Sequence, residues 1–267
     1  MDTHEVKHLF GLIGYPLGHS FSGRYFSEKF AREGFHHCRY ELFPIPTIEA
    51  LPDLLAQHAH LRGLNVTIPY KEQVLAFAQA GEPAVESLGA ANTLVVDSSG
   101  QLWAYNTDVI GFERSLCAWL HELGVSESDF DQIQALILGT GGAAKAVSFV
   151  LRQLRISYRM VSRSATRGEL IYEELTPALL QRVQLIVNTT PLGMAPHVTT
   201  IPSLPMEAIG CSHMIFDLVY NPEKTRLLAE AQQRGAHVKN GLEMLYLQAE
   251  QSWNIWRAHH RIEPLAQ

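Results

Sequence analysis

Short apolar runs alternate with amphipathic stretches along most of this chain. Apolar runs bounded by glycine, proline or polar clusters predict strands at residues 9–13, 40–43, 63–69, 135–138, 158–161, 185–188, 214–218 and 237–239, and a hairpin at 93–96 and 102–105. Apolar residues at helical spacing predict helices at 47–58, 70–80, 108–123, 224–234 and 242–259, and two more after the glycines at 23 and 142. Strands that alternate with helices are typical of parallel sheets, so we predict the α/β class.

The length of 267 residues is enough for about two domains. We predict a first α/β domain over 1–107, completed by the returning C-terminal segment 242–267, and a second domain over 108–241. We expect a cleft between the two domains, because closure of such a cleft excludes water from a reaction.

The segment 134–147 carries the most informative local pattern. An apolar run meets Gly139, Gly141 and Gly142, and an alanine-rich helical stretch follows. A strand, a glycine turn and a helix form the context of a dinucleotide site, because glycines let the backbone approach a pyrophosphate at the helix N-terminus. The third glycine of the usual motif is replaced by Ala144. The pattern alone therefore leaves an ordinary tight turn as the alternative.

The strand predicted at 158–161 is followed by an unusually short connection. Only residues 163–169 separate it from the next apolar stretch at 170–172. A crossover between parallel strands normally needs about a dozen residues and usually a helix. We therefore predict a Rossmann-like domain with a shortened connection between its second and third strands, in which a loop replaces the helix and the third strand is weak.

Composition narrows the classes of protein. A formal net charge of −6 argues against a nucleic-acid binder. Three widely spaced cysteines indicate a reducing compartment, and the polar N-terminus and the absence of a long apolar run argue against secretion and membrane insertion. The 13 histidines form no metal-ligand pattern. We therefore expect a cytoplasmic protein without a metal, a membrane anchor or a nucleic-acid partner.

Seven segments together resemble one family, and they occur in that family's order along nearly the whole chain. The resemblance is to the shikimate dehydrogenases, within the shikimate/quinate dehydrogenase family, and it rests on residues 15–22, 65–71, 89–93, 106–108, 139–143, 188–190 and 240–248. It implies an NADP-dependent oxidoreductase that reversibly reduces 3-dehydroshikimate to shikimate, in the chorismate pathway to the aromatic amino acids.

The resemblance makes Lys71 and Asp108 the catalytic pair. A ketone reduced by hydride leaves an oxyanion, which needs a proton and electrostatic support, and a lysine beside a carboxylate suits both tasks. We expect each residue to open a helix after an extended segment. Taken singly, Lys71 would be a solvated lysine and Asp108 a helix N-cap.

The resemblance also implies a set of substrate ligands. The hydroxyls of Ser20 and Ser22, with Tyr220, would hold the carboxylate, although two hydroxyls ahead of a helix are also ordinary N-caps. Gln248 would bind a ring hydroxyl, with a core hydrogen bond as the alternative for a half-buried amide. The full predicted substrate set is Ser20, Ser22, Asn65, Thr67, Asn92, Tyr220 and Gln248.

The choice of cofactor depends on the end of the strand at 158–161. An acidic residue there would bind the ribose of NAD, but Ser162 and Arg163 stand in its place, and an arginine can pair with the 2′-phosphate of NADP. The alternative for Arg163 is an exposed surface arginine. We predict NADP, with the cofactor set Gly139, Thr140, Gly141, Gly142, Ala143, Ser162, Arg163, Thr189, Leu218 and Gly241.

The chain also departs from the family near its first motif. Gly23 stands where the family usually has proline, and Tyr25-Phe26 replaces its His-Asn. Alternatives to the main hypothesis are a quinate/shikimate dehydrogenase with relaxed substrate or cofactor choice, a non-catalytic sensor of shikimate-like metabolites, and a generic Rossmann binding protein. We expect a monomer, with a dimer as the alternative.

Overall fold

This computed structural model describes residues 5–18 and 21–265. The described chain forms two compact units, each built around a six-stranded sheet. The first unit comprises Met1–Thr107 and Ala249–Gln267, and the second comprises Asp108–Gln248. The first division of the chain falls between 107 and 108, and the second lies inside the last helix, after Gln248.

The first unit contains a mixed sheet. Its strands are β1 (His8–Gly14), β2 (Cys38–Pro44), β3 (Leu61–Val66), β4 (Gln79–Ala80), β5 (Thr93–Val96) and β6 (Leu102–Tyr105). They lie in the order β2-β1-β3-β5-β6-β4. β1 pairs in parallel with β2 and β3, whereas β5 pairs antiparallel with β3 and β6, so the predicted hairpin is present.

Helices of the first unit are α1 (Phe21–Arg32), α2 (Leu51–Gln57) and α3 (Pro83–Leu88), and the unit also holds the C-terminal part of α8 (Leu242–His260). Aromatic rings join α1, the sheet and α8. Phe10 of β1 stacks on Trp256 with ring centroids 4.8 Å apart, and it meets Trp253 edge-on. Burial of such large apolar rings is the main stabilising term of this core.

The departure at Tyr25-Phe26 is accommodated within α1. Phe26 is fully buried and stacks on Tyr40 of β2 with centroids 4.6 Å apart. Tyr25 donates a hydrogen bond to Glu250 of α8, and the nearly buried Lys29 ion-pairs with the same carboxylate at 2.9 Å. These two residues therefore tie α1 to α8.

The helix predicted at 70–80 is wrong. A turn leads into a short 3₁₀-helix, Gln73–Ala76, and the chain then forms β4, which pairs in parallel with β6. The Tyr70 hydroxyl donates to the carbonyl of Ile45 at 2.6 Å, and the N–H of Gly81 donates to Ala104 at 2.8 Å. These contacts to distant residues hold the backbone in a non-helical path, so tertiary pairing overrides local helix propensity.

The second unit has an all-parallel sheet. Its strands are β7 (Gln134–Leu138), β8 (Ser157–Ser162), β9 (Leu170–Ile171), β10 (Leu185–Asn188), β11 (Met214–Asp217) and β12 (His237–Asn240). The helices are α4 (Thr107–Glu122), α5 (Gly142–Gln153), α6 (Pro177–Leu180), α7 (Arg226–Gln233) and the first part of α8. Between β8 and β9 the chain forms only turns and bends, and β9 is two residues long. None of the described helices is at once long enough and apolar enough to cross a lipid bilayer.

Candidate functional site

The glycine loop lies where the strand order of the second sheet reverses. That order is β12-β11-β10-β7-β8-β9, so the chain runs outward from β7 in one direction and from β10 in the other. This is the doubly wound Rossmann order, in which ligands bind beyond the carboxyl ends of the strands at the reversal. The loops after β7 and β10 begin at Gly139 and Thr189. They form the candidate cofactor site of this unit.

Gly139 is required by the backbone at this position. Its φ is +113°, and a Cβ atom there would lie 2.6 Å from Oγ1 of Thr189. Thr189 donates both its N–H and its hydroxyl to the carbonyl of Leu138, at 3.0 and 2.7 Å. The two loops are therefore in direct contact, and a side chain at Gly139 would separate them.

Gly141 is open to a ligand. Its backbone is extended, it is the N-cap residue of α5, and a Cβ atom there would meet nothing within 4 Å. The first N–H groups of a helix have no partner within the helix, so they and the helix dipole can bind a phosphate. The buried Ala144 packs in the core at the position of the usual third glycine. These features fit the pyrophosphate of a dinucleotide.

A buried polar group that the sequence did not reveal supports the neighbouring loops. Asn188 donates to a carboxylate oxygen of Asp217 at 2.9 Å, and Thr225 donates to the other oxygen at 2.6 Å. All three residues are fully buried. Burial raises the pKa of the Asp217 carboxyl, although the three hydrogen bonds that it accepts oppose the rise. Asn188 belongs to the family motif at 188–190, whereas Asp217 was marked only as the polar end of an apolar run.

Leu218 and Gly241 are held together by close backbone packing. A Cβ atom on Gly241 would lie 2.1 Å from the carbonyl oxygen of Leu218, so no larger residue fits without a backbone shift. Both residues belong to the predicted cofactor set. Their proximity follows from the parallel pairing of β11 with β12, which places the ends of the two strands side by side.

Ser162 and Arg163 lie at the end of β8. Ser162 is buried, and its Oγ atom accepts the N–H of Ser164 at 3.2 Å. Arg163 is exposed, and its charge acts on Tyr172, whose pKa is nevertheless raised by burial. Arg163 places a positive charge at this strand end, and neither position 162 nor position 163 is acidic. This arrangement fits a 2′-phosphate better than a free ribose.

In the first unit, three predicted substrate residues are joined by one polar network. Ser22, the second residue of α1, hydrogen-bonds the hydroxyl of Tyr40. Tyr40 donates to Oδ1 of Asn65 at 2.8 Å, and the Asn65 amide nitrogen donates to the carbonyl of Asn92 at 3.4 Å. Burial raises the pKa of Tyr40, so its hydroxyl stays protonated. Ser20 lies outside the described residues.

The side-chain amide of Asn65 makes its hydrogen bonds to other residues of the first unit. Its nitrogen also contacts Thr93 Oγ1 at 3.2 Å and Ser252 Oγ at 3.0 Å. An amide nitrogen carries only two hydrogens, and these three acceptors outnumber them. Asn65 is 6% exposed. The hydrogens of the Asn65 amide nitrogen are therefore engaged within the first unit, and direct contact of Asn65 with substrate stays a prediction.

Asn92 connects the turn of Lys71 to the start of α4. The Lys71 carbonyl accepts the N–H of Ala91 at 2.7 Å. Oδ1 of Asn92 accepts the N–H of Thr107 at 2.7 Å, and its Nδ2 donates to the Thr107 hydroxyl at 3.0 Å. Asp108 follows directly as the second residue of α4. A short path of hydrogen bonds thus joins Lys71 to the residue that precedes Asp108.

Lys71 itself lies in a turn, so the expectation that it opens an α-helix is wrong. The turn is fixed because the N–H of Tyr70 donates to the carbonyl of Thr67 at 2.9 Å. The N–H of Thr67 donates to Ile13 at 3.0 Å, which anchors the same segment to β1. Both Lys71 and Thr67 are half-buried. The first unit therefore places Thr67, Lys71 and Asn92 beyond the same end of the paired strands β3 and β5.

The remaining predicted residues lie in the second unit. Asp108 is 7% exposed at the start of α4. Tyr220, two residues beyond Leu218, is half-buried, and burial raises its pKa. Gln248 is half-buried on α8, where its Nε2 donates to the carbonyl of Leu245 at 3.0 Å.

Comparisons with known proteins agree with this arrangement. A family model described as the shikimate dehydrogenase substrate binding domain matches residues 12–94. Shikimate dehydrogenases (NADP(+)) from Symbiobacterium thermophilum and Chlorobaculum tepidum are each 35% identical to this chain; the alignments cover 93% and 96% of this chain and 88% and 92% of those proteins. This chain belongs to the shikimate dehydrogenase family.

A solved shikimate dehydrogenase structure has the same fold. The crystal structure of shikimate 5-dehydrogenase from Thermus thermophilus in complex with NADP(H) and shikimate aligns with a TM-score of 0.78 at 30% identity, covering 97% of this chain and 95% of that chain. The substrate-domain match over 12–94 includes Lys71 and Asn92 but not Asp108, Tyr220 or Gln248. The family resemblance had pointed to those three residues, whereas no local pattern pointed to Tyr40 or Ser252.

Proposed function

We propose that this chain catalyses the reversible, NADPH-dependent reduction of 3-dehydroshikimate to shikimate on the route to the aromatic amino acids. The observation that carries the proposal is the hydrogen-bond path from Lys71 through Asn92 to Thr107, the residue before Asp108. Membership of the shikimate dehydrogenase family supports the identity of the substrate, and the glycine loop at the strand-order reversal supports the use of a dinucleotide.

Lys71 is proposed to deliver the proton. When bound, the reduced nicotinamide supplies a hydride to the substrate ketone, and negative charge develops on the carbonyl oxygen. The Lys71 ammonium polarises and protonates that oxygen, and it takes the proton back in the reverse direction. Asp108 orients the ammonium and accepts a hydrogen bond from a substrate hydroxyl. A nearby carboxylate favours the charged form of a lysine, whereas burial disfavours it.

The proposed ligands of the substrate match its functional groups. Ser20, Ser22 and Tyr220 donate hydroxyl hydrogen bonds to the carboxylate, and Thr67, Asn92 and Gln248 bind the ring hydroxyls. Asn65 acts one step away, by holding Tyr40 and the Asn92 segment. A site of this kind rejects substrates that lack a hydroxyl, because its own polar groups are then left unpaired.

NADP is proposed as the cofactor. Gly139, Thr140, Gly141, Gly142 and Ala143 would hold the pyrophosphate, and Ser162 with Arg163 would hold the 2′-phosphate. Thr189, Leu218 and Gly241 would border the rest of the molecule, because they lie at the ends of β10, β11 and β12. The open space at Gly141 and the absence of an acidic residue at 162 and 163 support this assignment.

Initial rates with shikimate or quinate, each with NADP or NAD, test the proposal. We expect shikimate with NADP to give the highest kcat/KM. A preference for quinate or for NAD would favour the relaxed dehydrogenase, and binding of shikimate without turnover would favour a metabolite sensor. Absence of both turnover and binding would contradict the proposed function.

The Lys71→Ala variant tests the assigned proton donor. We expect a loss of about 10²–10⁴-fold in kcat, which is the usual contribution of general acid catalysis. Lys7→Ala removes an exposed lysine from the same unit and serves as the control. Near-normal turnover of a folded Lys71→Ala protein would remove Lys71 from the mechanism.

We also propose a cytoplasmic monomer. The three cysteines Cys38, Cys117 and Cys211 are free thiols, which suits a reducing compartment. Light scattering on the purified protein measures the oligomeric state, and a dimer mass would contradict this part of the proposal.

A further inference from the structure

Two hydroxyl groups meet where the chain passes from one unit to the other. The division between the units falls after Thr107 on the first passage and after Gln248 on the second. Ser252 lies four residues beyond Gln248 on the same helix, about one turn further along α8. The Oγ1 atom of Thr107 and the Oγ atom of Ser252 are 3.1 Å apart. A hydrogen bond therefore joins the two segments of the first unit that lead into the second, one ending at Thr107 and the other carrying Ser252.

Ser252 is the centre of a fully buried polar cluster. Its side chain is 0% exposed, and besides Thr107 it contacts Thr93 Oγ1 at 2.8 Å and the Asn65 amide nitrogen at 3.0 Å. A serine hydroxyl has one hydrogen to donate and two lone pairs to accept with, so three partners satisfy it completely. Alanine at this position would remove one hydrogen bond from each of three different elements, which carry Asn65, Thr93 and Thr107.

Both the backbone N–H and the hydroxyl of Thr107 make hydrogen bonds within the first unit. Its backbone N–H, one of the groups at a helix start that has no intrahelical partner, donates to Oδ1 of Asn92 at 2.7 Å. Its hydroxyl contacts both Asn92 and Ser252. Thr107 is 1% exposed and is the first residue of α4, so these bonds hold the residue that directly precedes Asp108.

We propose that Ser252 is a positioning residue of the reaction, which acts through the Thr107 hydroxyl to hold the first turn of α4 and thereby Asp108. This inference rests on the proposed function, because it needs Asp108 to take part in turnover. Small displacements of a catalytic group have large effects, since about 1 Å of misplacement can cost about 10²-fold in rate.

If Ser252 only stabilised the fold, its substitution would lower stability without a specific effect on kcat. Loss of a buried serine hydroxyl lowers stability wherever it occurs, and Ser115 offers a matched case. Ser115 lies on α4, is 0% exposed, and donates to Glu243 at 2.7 Å. Ser115→Ala therefore removes the hydroxyl of an equally buried serine, whose partner is half-exposed and whose hydrogen bond does not involve Thr107.

The test is a double-mutant cycle of Ser252→Ala with Thr107→Val, measured as kcat, KM for shikimate and KM for NADP. We expect Ser252→Ala to lower kcat about ten-fold or more in the otherwise unchanged protein and less than two-fold when Thr107 is already valine. KM for NADP should stay within two-fold throughout. Thr107→Ser keeps the hydroxyl and should restore most of the activity lost in Thr107→Val.

Two results would overturn the inference. One is a folded Ser252→Ala protein whose kcat and shikimate KM stay within two-fold, with a fall in melting temperature like that of Ser115→Ala. The other is a pair of effects on kcat that multiply, which would show that Ser252 does not act through Thr107. Should Ser252→Ala fail to fold, Ser252→Cys fills the same space with a weaker hydrogen-bonding group and takes its place in the cycle.

The failure of this inference is distinct from failure of the proposed function. If the unchanged protein does not oxidise shikimate with NADP, the proposed function fails and the inference fails with it. If the unchanged protein is active and the cycle shows no coupling, only the role of Ser252 is wrong.

Discussion

Tyr40 donates its only hydroxyl hydrogen to Oδ1 of Asn65, across 2.8 Å. The orientation of the Asn65 amide fixes the direction of this hydrogen bond. Its Nδ2 must face the carbonyl of Asn92, which can only accept, so its Oδ1 faces Tyr40 and accepts. Ser22 must then donate to Tyr40. A hydroxyl that the family resemblance assigns to the substrate carboxylate therefore also has an acceptor inside the protein, the Tyr40 oxygen.

Tyr40→Phe should destabilise the protein, because it leaves a buried carbonyl oxygen of Asn65 without its donor. The expected loss in the free energy of unfolding is about 1–3 kcal/mol. Urea titration measures it, with Tyr158→Phe on β8 as a control at a partly exposed tyrosine. Equal unfolding midpoints for Tyr40→Phe and the unchanged protein would show that the bond contributes nothing.

The two glycines of the cofactor loop should respond differently to alanine. Gly139→Ala should lower both stability and NADP affinity, because of the positive φ and the 2.6 Å approach to Thr189. Gly141→Ala meets open space, so its melting temperature should stay near that of the unchanged protein. Its KM for NADP should nevertheless rise about ten-fold or more, because the added methyl group occupies the place of the pyrophosphate. Normal NADP binding by Gly141→Ala would argue against this position for the phosphate.

Arg163→Gln should change the choice of cofactor. Loss of charge-assisted bonds to the 2′-phosphate should raise KM for NADP about 10- to 100-fold and leave KM for NAD within about two-fold. Arg159→Gln, at an exposed arginine on β8, controls for a general loss of positive charge. Parallel increases in KM for both cofactors would contradict a specific contact with the 2′-phosphate.

Local patterns were sufficient for the second sheet. The central strands β7, β10 and β11 are continuous apolar runs, because both of their faces are covered, and β10 was predicted with its observed bounds, Leu185–Asn188. The segment 70–80 shows where such patterns fail. Its alanine-rich composition favours a helix, but β4 gains its stability from pairing with β6, more than twenty residues away in the chain.

The site was predictable only in part, for a related reason. The family resemblance identifies Lys71 and Asn92, because each lies in a short motif that can be recognised from consecutive residues. It does not reveal Ser252, whose contact with Asn65 joins residues 187 positions apart. Serine on a helix has no periodic or capping pattern that would distinguish it, and its role depends wholly on what the fold brings next to it.

His8 should make the stability of the protein depend on pH. Burial, with smaller contributions from His37, Arg62, His260 and Lys7, lowers the pKa of His8 to about 4. Its Nδ1 atom is buried and has no hydrogen-bond partner within the part of the chain that the structure describes. The imidazole is therefore neutral in the folded protein at pH values where an unfolded histidine, with a pKa of about 6.5, already binds a proton.

The sign of the effect follows from proton binding. Between pH 6.5 and about 4 the unfolded state binds the additional proton, so the free energy of unfolding falls as the pH falls across this window, by at most about 3 kcal/mol. His8→Gln is neutral at every pH and should remove much of this dependence, whereas His237→Gln, at an exposed histidine, should leave it unchanged. Urea midpoints at pH 7, 6, 5 and 4.5 measure the difference. An unaltered slope in His8→Gln would mean that another group binds the proton, because a side chain that cannot titrate cannot contribute to the linkage.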